Sequence, residues 1–212
     1  MAGKIIDMKI AVLFSGKGSN LGAILASSVK PHIELCLTDN PDAPGIISAR
    51  SYGLPVVIAN YRDYVNKSEF EQTVLNKLKK SMIDYVVLAG FMRILSTNFV
   101  SQYNHRIINI HPSLLPSYAG LNTHERVIQN GNKIHGVTIH FVTPQVDAGP
   151  IIAQGAIRVH PNDTPKSLQE RIHKLEHLIY PQVISWIIKG QIYVNDQGKV
   201  IHPFCTGFFM DD

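Results

Sequence analysis

The chain has 212 residues, 45% hydrophobic and 17% charged, with mean hydropathy +0.03; this is enough apolar material for a core and excludes disorder as the main state. That length suits one large domain, and no apolar run nears the ~18–20 residues needed to cross a bilayer. Twenty basic against sixteen acidic residues give a net charge of +4. The basic residues are scattered; only Lys77, Lys79 and Lys80 cluster, as a solvated helix face, which argues against a nucleic-acid partner and suits small anionic ligands. Cys36 and Cys205 are the two cysteines, so a disulfide scaffold and a cysteine zinc cluster are both excluded. Met1–Lys9 lacks an apolar stretch of signal-peptide length, and the expectation is a cytoplasmic protein with no membrane partner.

Taken in chain order, Lys9–Phe14 reads as a strand, Leu21–Ser28 as a short helix, Ile33–Leu37 as a strand, Gly45–Tyr52 as a helix and Val56–Ala59 as a strand. Ser68 and Glu71 form a capping-box pattern predicting a helix that runs to about Lys80. Tyr85–Ala89 is continuously apolar, as expected of a strand buried on both faces of a parallel sheet. Arg106–His111 follows as another strand. This β-α alternation predicts an open α/β sheet through about residue 110. Beyond it, Lys133–Val142 and Ile151–Val159 are long strands that should pair as a hairpin around Thr143–Pro150. Asp163 and Thr164 are candidate caps ahead of Pro165. Leu168, Ile172, Leu175, Ile179, Val183 and Ile187 then recur at helical spacing, with Pro181 expected to kink or divide the helix and Gly190 to end it.

Four motifs carry chemistry. Ser15-Gly16-Lys17-Gly18-Ser19-Asn20 joins a strand to a helix, so its backbone can approach an anion at a helix N-terminus. A dinucleotide fingerprint would need glycine where Leu21 stands, and the P-loop signature is absent. The bland reading is a tight turn. Asn109-Ile110-His111-Pro112 lies at the carboxyl end of a strand, where such sheets place ligands. Residues two apart share a face, so Asn109 and His111 point together and could grip an oxyanion and manage a proton, or simply tie down a loop. Val142 to Pro150 contains one ionisable group, Asp147, readable as a turn aspartate. His173-Lys174-Leu175-Glu176-His177 matches a His-x-x-Glu-His zinc pattern, but without a further ligand it reads as a helix face or a substrate contact through Glu176.

Together, Leu13–Leu21, Val87–Leu95, Asn109–Pro116 and His140–Pro150 closely resemble the phosphoribosylglycinamide formyltransferases, folate-dependent enzymes of purine biosynthesis, over about Lys9 to Gly190. The resemblance implies one formyltransferase domain with an open, mostly parallel, Rossmann-like twisted sheet and flanking helices. About residues 1–110 would form the phosphate- and nucleotide-binding half, about 111–190 the folate-binding and catalytic half, and 202–212 a tail. It implies 10-formyltetrahydrofolate as co-substrate, glycinamide ribonucleotide as substrate, no metal, and a monomer or homodimer. Gly18, Ser19 and Asn20 match the phosphate-binding segment, and Glu176 the contact to the glycinamide portion. Met92, Arg93, Ile94 and Leu95, with Thr143, Pro144, Gln145 and Val146, match the folate-binding positions, and Lys67 stands where the family often has an arginine touching the folate. Asn109, His111 and Asp147 match the catalytic trio. Lys17 and Asn122 depart from the family pattern, Asn122 standing where some relatives carry histidine. The tail's Phe204, Phe208 and Phe209 should pack on the body or meet a partner. Methionyl-tRNA formyltransferase is the nearest rival; it shares Asn-x-His and Ser-Leu-Leu-Pro but would need a further nucleic-acid-binding domain.

Overall fold

Continuous apolar sequence becomes buried parallel strand. In the computed structural model, which describes residues 8–204 and 206–210, β1 (Ile10–Phe14) is buried at all five positions. It pairs in parallel with β4 (Tyr85–Leu88) on one side and β2 (Ile33–Thr38) on the other, and β3 (Val56–Ile58) extends β2. Val86 N donates to Arg106 O, bringing the start of β5 (Ile107–His111) alongside β4. This compact unit, residues 8–108, has strand order β5-β4-β1-β2-β3 and carries helices α1 (Ser19–Leu25), α2 (Gly45–Ser51), α3 (Lys67–Lys80) and α4 (Thr97–Gln102).

The second unit, residues 109–210, begins inside β5 and has the order β5-β6-β7-β10. Here β6 (Ile134–Phe141) and β7 (Ile151–Arg158) form the expected antiparallel pair, Ile134 opposite Arg158, and β10 (Gly207–Phe209) lies parallel to β7. Its helices are α5 (Thr123–Gln129) and α6 (Pro165–Ile188); β8 (Tyr193–Val194) and β9 (Val200–Ile201) form a separate small hairpin. The architecture is the expected α/β class: open, mostly parallel sheet with flanking helices. All six apolar residues predicted along α6 are buried, each such side chain stabilising by roughly 1.5–3 kcal/mol. Among the described residues no helix is long and apolar enough to cross a membrane.

Several local expectations are corrected. Helix α1 starts at Ser19 and ends at Leu25, not Leu21 to Ser28. The cap of α3 is Asn66, whose side chain accepts from Glu69 N while Glu69 Oε2 accepts from Val65 N. Ser68 and Glu71 therefore form no capping box; Glu71 is buried and accepts instead from the backbone N–H and hydroxyl of Ser96. Pro181 does not divide α6, which runs unbroken for 24 residues under a true capping box of Thr164 and Ser167. A proline there removes one hydrogen bond, and the buried row through Ile179, Tyr180, Val183 and Ile184 carries the helix across it. Helices α4 and α5 and strands β8 to β10 had no expectation. In the tail, Phe204 and Phe208 pack against Trp186 of α6, while Phe209 is exposed. Cys205 and the last two residues of that tail lie outside the described residues, as does most of Met1–Lys9.

Candidate active site

Strand alternation places Asn109 and His111 on one face of β5, as their spacing predicts. That face meets Asp147 and a residue without an expected role, His140 at the end of β6. His111 Nδ1 stands 3.4 Å from Asp147 Oδ2, Asn109 Nδ2 stands 3.3 Å from His140 Nε2, and His140 Nε2 stands 3.9 Å from Asp147 Oδ1. His111 Nε2 donates to Tyr118 O at 3.0 Å. A carbonyl only accepts, so Nε2 carries a proton and Nδ1, loosely facing Asp147, is the nitrogen left for chemistry. Asp147 is further held by Gly120 N, which donates to its Oδ2 at 2.9 Å.

Left-handed backbone concentrates around these groups. Asp147 has φ 51°, and Tyr118, Gly120 and Asn122 have φ 58°, 82° and 56°. Aspartate and asparagine accept this conformation readily, but at Tyr118 it costs about 1–2 kcal/mol. The surroundings hold it there: the Tyr118 hydroxyl donates to Asn132 and accepts from Asn130, and Arg126 donates to the carbonyls of Ala119 and Leu121. Asn122 thus serves as the left-handed residue opening α5. Gly149 closes the Asp147 loop, since a Cβ there would lie 1.7 Å from Phe141 O. Burial keeps the imidazole of His140 below its ordinary pKa, against the opposing pull of the Phe141 carbonyl and Asp147. Elsewhere in the same unit, His124 and His135 are hydrogen-bonded at 3.0 Å and burial pushes both down to about 4. Glu176 is buried on α6.

In the first unit, Gly18 precedes α1 with φ 73°, and a Cβ there would come 3.0 Å from Gly45 Cα. The fold itself requires that glycine. A Cβ on Gly16 would meet nothing within 4 Å, so the fold leaves Gly16 free. Ser15 ties this loop to the 90–95 segment, accepting from Met92 N at its hydroxyl. Ser19 and Lys17 are exposed, and Asn20 is buried. Met92 and Ile94 are 68% and 62% exposed, whereas Leu95, at 6%, belongs to the core. Arg93 is engaged by Asp39 and stacks 3.9 Å over Tyr61, and Lys67 lies 3.8 Å from Glu71. In the second unit Thr143 is half-buried, Pro144 and Gln145 are exposed, and Val146 is 49% exposed. Among the described residues no group of three or more His, Cys, Asp or Glu side chains could hold a metal; His173 and His177 stack on each other.

A family model described as formyl transferase matches residues 8–184. The phosphoribosylglycinamide formyltransferase of Escherichia coli is 39% identical over 193 residues, covering 89% of this chain and 91% of that protein. The chain belongs to the phosphoribosylglycinamide formyltransferase family. The crystal structure of the family's enzyme from Anaplasma phagocytophilum superimposes with TM-score 0.89 at 38% identity, covering 96% of this chain and 98% of that one. The human trifunctional purine biosynthetic protein adenosine-3 is 40% identical over 196 residues, 91% of this chain; the chain spans about a fifth of its length, 19%. Within the formyltransferase frame, the sequence reading missed His140. No local signal marks it, since its partner Asn109 lies 31 residues earlier.

Proposed function

We propose that this chain transfers the formyl group of 10-formyltetrahydrofolate to the amine of glycinamide ribonucleotide, giving formylglycinamide ribonucleotide and tetrahydrofolate in purine biosynthesis. The observation that carries the reading is the convergence of Asn109, His111 and Asp147 at the end of β5, in a chain of this family. The nucleophile is the substrate's own amine, so no protein nucleophile is needed. Its attack on the formyl carbon makes a tetrahedral oxyanion. Asn109 Nδ2–H and a protonated His111 Nδ1 are the donors for that oxyanion. Asp147, beside Nδ1, moves the amine proton toward the folate nitrogen as the carbon–nitrogen bond to folate breaks.

In this reading Gly18, Ser19 and Asn20 take the phosphate and Glu176 the glycinamide portion. Lys67, Met92 to Leu95 and Thr143 to Val146 serve the folate; the exposed apolar side chains of Met92 and Ile94 suit its rings, while Leu95 is buried in the core. The substrates are small molecules, the enzyme needs no metal, and it works in the cytoplasm as a monomer or homodimer. Incubation with 10-formyltetrahydrofolate and either glycinamide ribonucleotide or methionyl-tRNA tests the assignment. The expected result is formylation of the ribonucleotide alone; formylation of the tRNA alone would overturn it.

A further inference from the structure

We infer that His140 is a positioning residue that fixes the side-chain amide of Asn109, turning one of its N–H groups toward the reacting carbonyl. The inference deepens the function proposed above and rests on it. Its geometry lies wholly on β5, β6 and the loop that follows. His140 Nδ1 is 2.9 Å from Phe141 O. Because a carbonyl offers no proton, Nδ1 must carry one. The neutral ring then has its lone pair on Nε2, and that lone pair faces Asn109 at 3.3 Å. Only the NH2 end of the Asn109 amide can sit there, since its oxygen would meet lone pair with lone pair. The tautomer of His140 and the orientation of Asn109 therefore determine each other. One N–H of Asn109 is used on His140, and the second is held in a single direction, preorganised before any charge develops.

His140 is itself rigid, being 2% exposed and hydrogen-bonded at both ring nitrogens. Two residues earlier on the same face, Thr138 Oγ1 donates to Ser113 O and accepts from Leu115 N, so one face of β6 supports both the loop after His111 and the amide of Asn109. The groups facing His140 are Asp147 from the β6–β7 loop, His111 and Asn109 from β5, and the Phe141 carbonyl on its own strand. Burial is the largest influence and favours the neutral ring. Protonation would make Nε2 a donor, and Asn109 would have to turn its oxygen inward and lose the oriented N–H.

Three readouts test this. In long-range 1H–15N spectra of the wild type at neutral pH, His140 should show a protonated Nδ1 and a lone-pair Nε2; an Nε2–H tautomer would overturn the pairing without any variant. In kinetics, His140→Leu should lower kcat by about 10-fold or more with KM unchanged, below the ~10²–10³-fold expected for losing an oxyanion donor outright. His140→Gln, which keeps an acceptor, should recover much of that loss. Because His140 acts through Asn109, adding His140→Leu to Asn109→Ala should bring no further loss; multiplying losses would refute the positioning role, as would an unchanged kcat in folded His140→Leu. A wild type that transfers no formyl group would overturn the functional reading instead, and the spectrum would still decide the pairing.

Discussion

Asp147 is the residue where conformation and chemistry meet: left-handed backbone, a hydrogen bond from Gly120 N, and an oxygen 3.4 Å from His111. Asp147→Asn should preserve the fold and lose roughly 10²–10⁴-fold in turnover, the range for a positioned acid–base group. In the proposed mechanism the groups act as a unit, so combining it with His111→Ala should cost less than the product of the single losses in steady-state assays; simple multiplication would separate their roles. The proposed phosphate loop offers a second comparison. Gly16→Ala meets open space, so its stability should stay within about 0.5 kcal/mol while the KM for the ribonucleotide rises. Gly18→Ala should lower the urea midpoint as well, because its φ of 73° and the nearby Gly45 backbone penalise a side chain. Equal stability of the two would contradict this assignment. Much of this site was legible: strand alternation alone aligned Asn109 with His111. Asp147 was legible only through family resemblance, because a lone turn aspartate has no periodic signature. His140 went unread because its partner lies 31 residues away, a pairing no local pattern encodes.

At the scale of elements, strong periodicity was reliable and boundaries were not. The apolar row of α6 and the β6–β7 hairpin appear where their patterns put them. Asn66 and Ser68 are both good cap residues, and what decided between them was distant: Glu71 is taken by Ser96, 25 residues on. Helices α4 and α5 have six and seven residues, too few for an apolar stripe to emerge. The tail illustrates the same limit, since β10 is three residues long and is defined by pairing to β7 and by Phe204 and Phe208 against Trp186. Trp186→Ala should therefore destabilise the protein, by less than the ~3–5 kcal/mol of a fully buried aromatic because the ring is half-buried. It should also speed proteolysis within residues 193–210. A protease pattern identical to wild type would show that the tail is anchored otherwise.

For the molecule as a whole, the hydrogen-bonded histidine pair of the second unit lowers stability in acid. His124 and His135 have folded pKa values of about 4, below the ordinary 6.5. Between those values the unfolded chain binds protons that the native state refuses, so stability is full above pH ~6.5 and falls as pH drops toward 4. Each group contributes a slope of at most about 1.4 kcal/mol per pH unit, less for the half-buried His124. Urea midpoints should fall clearly between pH 7 and pH 5; a flat profile would mean the pair is solvated or already charged. In the proposed reaction this chain moves a formyl group from folate to an amine through the Asn109, His111 and Asp147 site. Its most direct test is a single turnover with excess enzyme, glycinamide ribonucleotide and 10-formyltetrahydrofolate carrying an isotopic label in the formyl group. Label should appear on the ribonucleotide amine as fast as tetrahydrofolate forms, and Asp147→Asn should slow both together. Label released as formate, or left on the folate by folded protein, would contradict it.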